Sequence, residues 1–198
     1  MKILVLNYSV GNIYSISHAL SRLGASVSVE KEISSREFDG LVMPGVGSFT
    51  SASEAISSYR GLLRDVILSG TPTLGICLGM QILFNSSDEG PGSGLDIFGG
   101  RVVSLPPTVK RPQMGWNRLL KTRYSPLLEG VEDAWVYFNH SYYPEPTDRS
   151  IVAAKTEYGV DIPSVISHRN IFGTQFHPEK SSKAGRQILQ NFINQVRR

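Results

Sequence analysis

The stretch Gly75-Ile76-Cys77-Leu78-Gly79-Met80-Gln81 constrains the fold more than any other part of the chain. It follows a short, mostly apolar run, Pro72 to Leu74, that reads as the end of a buried strand. A helical pattern of Met80, Ile82, Leu83 and Phe84 comes next. Cys77 therefore sits at a strand-to-helix turn with a glycine two residues out on either side, the pattern of a nucleophile elbow. Such a sharp turn admits only small neighbours and lifts its central side chain above the sheet. The helix behind it aims unpaired backbone N–H groups at the sulfur, which favours thiolate over thiol. The N–H of Leu78, one residue on, is placed to donate to a developing oxyanion. The plainer alternative is a buried structural cysteine packed as a small hydrophobe.

Cysteine chemistry also needs a base, and Gln175-Phe176-His177-Pro178-Glu179-Lys180 offers one. His177 is the candidate general base and Glu179 its orienting carboxylate. The two lie two positions apart, so an extended segment points both to the same side. A histidine before proline is often structural; its conjunction with the elbow and the glutamate favours catalysis.

The flanking sequence predicts the scaffold. Lys2 to Asn7 carries aliphatics on consecutive positions, as a buried parallel strand does. Ile13, Ile16, Leu20 and Leu23 follow at helical spacing and Gly24 stops them. Val27 to Glu30 and Asp39 to Met43 read as further strands, Ser53 to Leu68 as a helix broken near Gly61, and Arg101 to Leu105, Ala134 to Asn139, Ile151 to Thr156, Ser164 to Ser167 and Ile171 to Phe176 as later strands. Ser181 or Ser182 caps a closing helix with the apolar stripe Ala184, Ile188, Leu189, Phe192, Ile193 and Val196. The prediction is an α/β fold: a mixed, mostly parallel central sheet, helices on both faces, and a β-rich second half. The glycine-rich loop Pro44-Gly45-Val46-Gly47-Ser48-Phe49 ends a strand, where open α/β sheets place ligands, and a backbone N–H in it is a candidate second oxyanion donor.

The 198 residues read as a single domain, 1–198, with room for a full core. Apolar content of 40% against 19% charged excludes a disordered chain. No apolar run approaches the ~20 residues that span a bilayer, and the apolar start at Met1 to Leu6 is too short for a signal peptide. One cysteine excludes an internal disulfide and fits a reducing cytoplasm. With His18, His140, His168 and His177 scattered, no metal-ligand spacing arises, and no cofactor is expected. A net charge of +3 is too mild and dispersed for nucleic acid. Between Asp96 and Glu129 every charged residue is basic, which reads as a solvated face or as a docking surface for an acidic partner.

The elbow together with His177-Pro178-Glu179 resembles the class I (triad) glutamine amidotransferases. Pro44 to Phe49, Met114-Gly115-Trp116-Asn117, His140-Ser141-Tyr142-Tyr143 and His177 to Ser182 are similar, within that class, to the glutaminase subunits of imidazole glycerol phosphate synthase. The resemblance spans nearly the whole chain. It implies hydrolysis of L-glutamine to glutamate and ammonia by Cys77, His177 and Glu179 through a glutamyl thioester, with ammonia passed to a (β/α)₈-barrel synthase subunit in an obligate heterodimer of histidine biosynthesis. Leu78 with Gly45 or Val46 would form the oxyanion hole, and Gly47, Gln81, Ser141 and Tyr142 would contact glutamine. Asn12, Trp116, Tyr137 and Lys180 would face the partner. The resemblance further implies a near-inactive free subunit whose Pro44–Phe49 loop reorients on docking. Two departures stand out: Asn7, where the class commonly carries Asp, and Asn139, where an apolar residue is expected. Competing readings are a sibling glutaminase of pyridoxal phosphate or anthranilate synthesis, a cysteine peptidase or thioesterase on a similar elbow, and a non-catalytic binding subunit.

Overall fold

The computed structural model describes residues 1–8, 13–33 and 36–198. The first half runs β1 (Lys2–Leu6), α1 (Ile13–Arg22), β2 (Ser26–Glu30), β3 (Gly40–Met43), α2 (Phe49–Ile56), α3 (Arg60–Leu68), β4 (Thr73–Ile76) and the single turn α4 (Leu78–Gln81). The second half is β-rich: β5 (Ser86–Ser87), β6 (Gly100–Ser104), β7 (Gln113–Arg118), β8 (Leu120–Lys121), β9 (Trp135–His140), β10 (Tyr142–Pro146), β11 (Val152–Glu157), β12 (Asp161–His168) and β13 (Ile171–Thr174), before the closing helix α5 (Ser182–Val196).

The central sheet has the order β2-β1-β3-β4-β13-β12-β11-β8. Its first five strands are parallel, and β12, β11 and β8 extend it antiparallel. Strand periodicity divides the core in two. Ile3 and Val5 of β1, Val42 of β3, Leu74 and Ile76 of β4 and Phe172 of β13 point to one face, where α1 and α5 cover them with Ile16, Leu20, Ile188, Leu189, Phe192 and Ile193. Leu4, Leu6, Leu41, Met43 and Ile171 point to the other, under Phe49, Ala52 and Ile56 of α2 and Leu63, Val66 and Ile67 of α3. Helices thus lie on both faces, and the strands they bury read as continuous apolar runs for that reason.

Several boundaries differ from the sequence reading. The helix expected over Ser53–Leu68 starts at Phe49, because the Ser48 side chain accepts from the Ser51 N–H and caps it. Its break falls at Ser57–Tyr59 rather than at Gly61, which is helical. The helix after Cys77 is one turn long: Ile82, Leu83 and Phe84 are fully buried, and their carbonyls are taken by the returning Leu95–Phe98 backbone. Ser181 occupies the cap position of α5, yet its hydroxyl does not cap; its partners lie elsewhere, as described below.

Register assembles the site. Met43 of β3 lies opposite Gly75 of β4, and Ile76 lies opposite Thr174 of β13. The loop from Pro44, the turn at Cys77 and the segment from Gln175 therefore emerge side by side at the carboxyl ends of three adjacent parallel strands.

Candidate active site

Cys77 adopts φ 54 and ψ −108, a backbone state rare for any residue but glycine. The flanking glycines are demanded by crowding. A Cβ on Gly75 would stand 2.5 Å from the Gly79 carbonyl oxygen, and one on Gly79 would stand 1.7 Å from that of Met43. The elbow is thus folded against the neighbouring strand end. With α4 a single turn, helix-terminus electrostatics around the sulfur are weaker than a long helix would supply.

His177, just beyond β13, hydrogen-bonds Glu179 Oε1 through Nδ1 at 3.0 Å, with both side chains about 95% buried. Its Nε2, buried and without another partner, is the atom left for Cys77. Burial works against the imidazolium. Hydrogen bonding and charge from Cys77 and then Glu179 overcome it and raise the His177 pKa to about 10. A protonated imidazole beside the sulfur is the partner a thiolate needs. The Tyr137 backbone clasps this segment: His177 N–H donates to Tyr137 O at 2.9 Å, Tyr137 N–H to Ser181 Oγ at 3.0 Å, and Ser181 Oγ to His177 O at 2.6 Å.

Cys77 opens into a cavity of about 240 Å³ lined by Val46, Gly47, Leu78, Gln81, Glu89, Pro112 and residues 139–142. That is below the ~300–1,000 Å³ of pockets for drug-sized ligands and suits a single amino acid rather than a peptide. Gly47, Gln81, Ser141 and Tyr142, expected from sequence, all line it, and so does Asn139, whose carbonyl faces Cys77 Sγ at 3.8 Å. Asn7 continues the pairing of β1 through its N–H on Glu30 O, away from the lining.

The expected oxyanion donors are arranged differently. The Leu78 N–H points at the Gly45 carbonyl oxygen, 3.4 Å away, so the loop covers the donor with an acceptor. Two residues escaped the sequence reading. Glu89 sits in a glycine- and serine-rich loop; its Oε2 accepts from Phe49 N–H at 2.7 Å, at the start of α2, and this brings a carboxylate into the cavity wall. The other is His140, to which neither its motif nor its place among the scattered histidines assigns a role. Its Nδ1 bonds the Tyr142 carbonyl at 2.9 Å. Burial lowers its pKa, the Tyr142 carbonyl resists, and nearby His177 lowers it further, to about 4, so it is neutral beside the charged His177.

Trp116 on β7 is half exposed and packs edge-on against Tyr137 of β9 with ring centroids 6.2 Å apart; Lys180 Nζ lies 5.7 Å above the Tyr137 ring. Met114 is exposed on the same strand. Trp116 is thus a surface residue and not part of the core. Asn12 lies outside the described residues. Of the basic stretch, Arg101, Arg118 and Lys121 pair with Asp88, Asp133 and Glu132, so half of its cations already have acidic partners within the chain.

The family model for class-I glutamine amidotransferases matches residues 4–196. The chain belongs to the class-I glutamine amidotransferase family. Among curated members of the family, it is 51% identical to the imidazole glycerol phosphate synthase subunit HisH of Archaeoglobus fulgidus, over 99% of this chain and 100% of that one. It is 48% identical to the subunit of the same name from Geobacillus thermodenitrificans, over 97% and 95%. A solved glutamine amidotransferase structure superposes with a TM-score of 0.78 at 19% identity, covering 99% of each chain, and supports the amidotransferase fold. Among the described residues of this amidotransferase, no helix is long and apolar enough to cross a membrane.

Proposed function

We propose that the cavity hydrolyses L-glutamine and that the chain, folded as one domain, is the ammonia-supplying subunit of a cytoplasmic imidazole glycerol phosphate synthase. The observation that carries this reading is the alignment of Glu179, His177 and Cys77 behind an amino-acid-sized cavity. The Cys77 thiolate attacks the side-chain carboxamide carbon of glutamine. Protonated His177 gives its proton to the departing nitrogen, and ammonia leaves a glutamyl thioester. His177, now neutral, takes a proton from water, which attacks the thioester and releases glutamate. Glu179 holds the imidazole in place and stabilises its charged form.

The cavity wall suggests how the amino-acid end is held. The Glu89 carboxylate suits the α-ammonium. Gln81 Nε2 already donates to Tyr142 O and Gln175 Oε1, so its Oε1 is what it offers the same ammonium. Backbone around Gly47 and Ser141–Tyr142 is left for the α-carboxylate.

The covered Leu78 amide motivates a gated enzyme. Turning the Gly45–Val46 peptide would remove the carbonyl and present an N–H, which completes the oxyanion hole; one such donor is worth about 10²–10³ in rate. The face formed by exposed Met114, Trp116 and Lys180 and half-buried Tyr137 suits docking of a (β/α)₈-barrel synthase subunit, and the Tyr137 backbone ties that face to His177.

The test is glutamate release from glutamine by the chain alone, with a barrel synthase subunit, and with that subunit plus its nucleotide ligand, each beside a Cys77→Ala control. Activity that rises sharply in the third mixture and vanishes in the control is the expected result. Full activity of the chain alone would discard the gate. Silence in all three would overturn the function.

A further inference from the structure

Gln175 follows β13 directly and is fully buried. A buried carboxamide is costly unless its groups are paired. Its Oε1 accepts from Gln81 Nε2 at 3.2 Å, and its Nε2 faces Cys77 Sγ at 3.6 Å. The polarity of this chain is determined from its far end. Tyr142 O can only accept, so Gln81 presents Nε2 to it at 2.8 Å. The same nitrogen reaches Gln175, so Gln175 must present its oxygen there, because two amide nitrogens cannot bond one another. The Gln175 N–H is thereby left for the sulfur.

We propose that Gln175 is a catalytic residue whose Nε2–H donates to the Cys77 thiolate and holds the sulfur in line for attack, its carboxamide locked by Gln81 and Tyr142. The proposal rests on reading Cys77 as the nucleophile. A thiol and a thiolate meet different partners here. The thiol S–H has the Asn139 carbonyl to donate to. Once its proton passes to His177, that carbonyl faces an anion and contributes nothing, and the Gln175 N–H is the neutral donor that replaces it. Hydrogen bonds to an ionised partner are about twice as strong as neutral ones. Gln175 therefore favours the ionised sulfur over the neutral one without adding charge to the cavity.

Alkylation of the free chain by iodoacetamide across pH, read as intact mass, tests this without glutamine or partner. Cys77 is the chain's single cysteine, so the modified mass reports that thiol, and Cys77→Ala is the blank. In Gln175→Leu the pH midpoint of alkylation should rise by about one unit, slowing modification about tenfold below it. Gln175→Asn keeps the amide but cannot span to Sγ, and should behave as the Leu variant does. Thermal melts identify which variants fold, and any folded one decides. A lowered melting temperature with an unmoved midpoint is what a purely structural glutamine gives and overturns the proposal. The readout is independent of glutamine turnover, so failure of the glutaminase reading and failure of this one are separately visible.

Discussion

Two glycine-bearing turns stand side by side at the carboxyl ends of β3 and β4, and they are built to opposite ends. At the elbow, each glycine is pressed against backbone: a Cβ on Gly79 would overlap the Met43 carbonyl and one on Gly75 the Gly79 carbonyl. In the Pro44–Ser48 loop, Gly47 has φ +114 and open space, with nothing within 4 Å of where a Cβ would stand. The first turn uses glycine for close approach and the second for conformational freedom. On the proposed mechanism, Cys77 has to be held still and the loop whose Gly45 carbonyl covers the Leu78 amide has to turn. The same residue type serves both because glycine lacks the one atom that would prevent either.

Substitutions can break this contrast. The largest effect should come from Gly79→Ala, where the clash is with backbone and no flexible side chain can yield; a loss of more than about 4 kcal/mol in denaturant unfolding, or no folded protein, is expected. Acid should act next, on His140 in the wall of the cavity that both turns line. The His140 pKa is lowered to about 4 from 6.5, so the folded protein binds this proton more weakly than the unfolded chain. Its contribution is present above about pH 6.5 and is lost as pH falls through about 4, on the order of 3 kcal/mol. Melts from pH 7 to 4 should show a shallower decline in His140→Gln.

Gly47→Ala should keep the fold, at a cost of about 1–2 kcal/mol for its positive φ. Glutaminase activity measured with the barrel partner should nonetheless fall by about 10²-fold, if the loop must turn to supply a donor. A variant as active as the parent would erase the distinction between the two turns. The smallest effect is a gain. Cys77→Gly removes the side chain from a strained backbone and should stabilise the chain by about 1 kcal/mol while abolishing turnover, which thermal melts and glutamate release would show together.

The centre of the parallel sheet was legible because strands buried on both faces carry consecutive apolar residues, as Ile3–Leu6 of β1 and Leu41–Met43 of β3 do. The candidate triad was legible because Cys77, His177 and Glu179 fall in two short motifs. Helix boundaries were less so. Ser48 caps α2 through a local hydrogen bond that a loop reading passed over, and the apolar run Ile82–Phe84 has helical composition but is spent on packing and on backbone returning from Leu95–Phe98. Ser181, read as a cap, ties Tyr137 to His177 instead, because a partner 44 positions away reaches its hydroxyl.

By itself, the sequence determined which residues are candidates for the chemistry: a cysteine between glycines, a histidine with a glutamate two places on, and the strand periodicity that sets them at the carboxyl end of a sheet. Those are local properties of side-chain type and spacing. Only the tertiary structure decided their states. It set the Gly45 carbonyl over the Leu78 amide, lowered His140 and raised His177, brought Glu89 to the cavity from a loop with no pattern, and aimed Gln175 at the sulfur. Each depends on groups distant in sequence meeting where water is excluded, and burial there makes every donor, acceptor and charge depend on its neighbours.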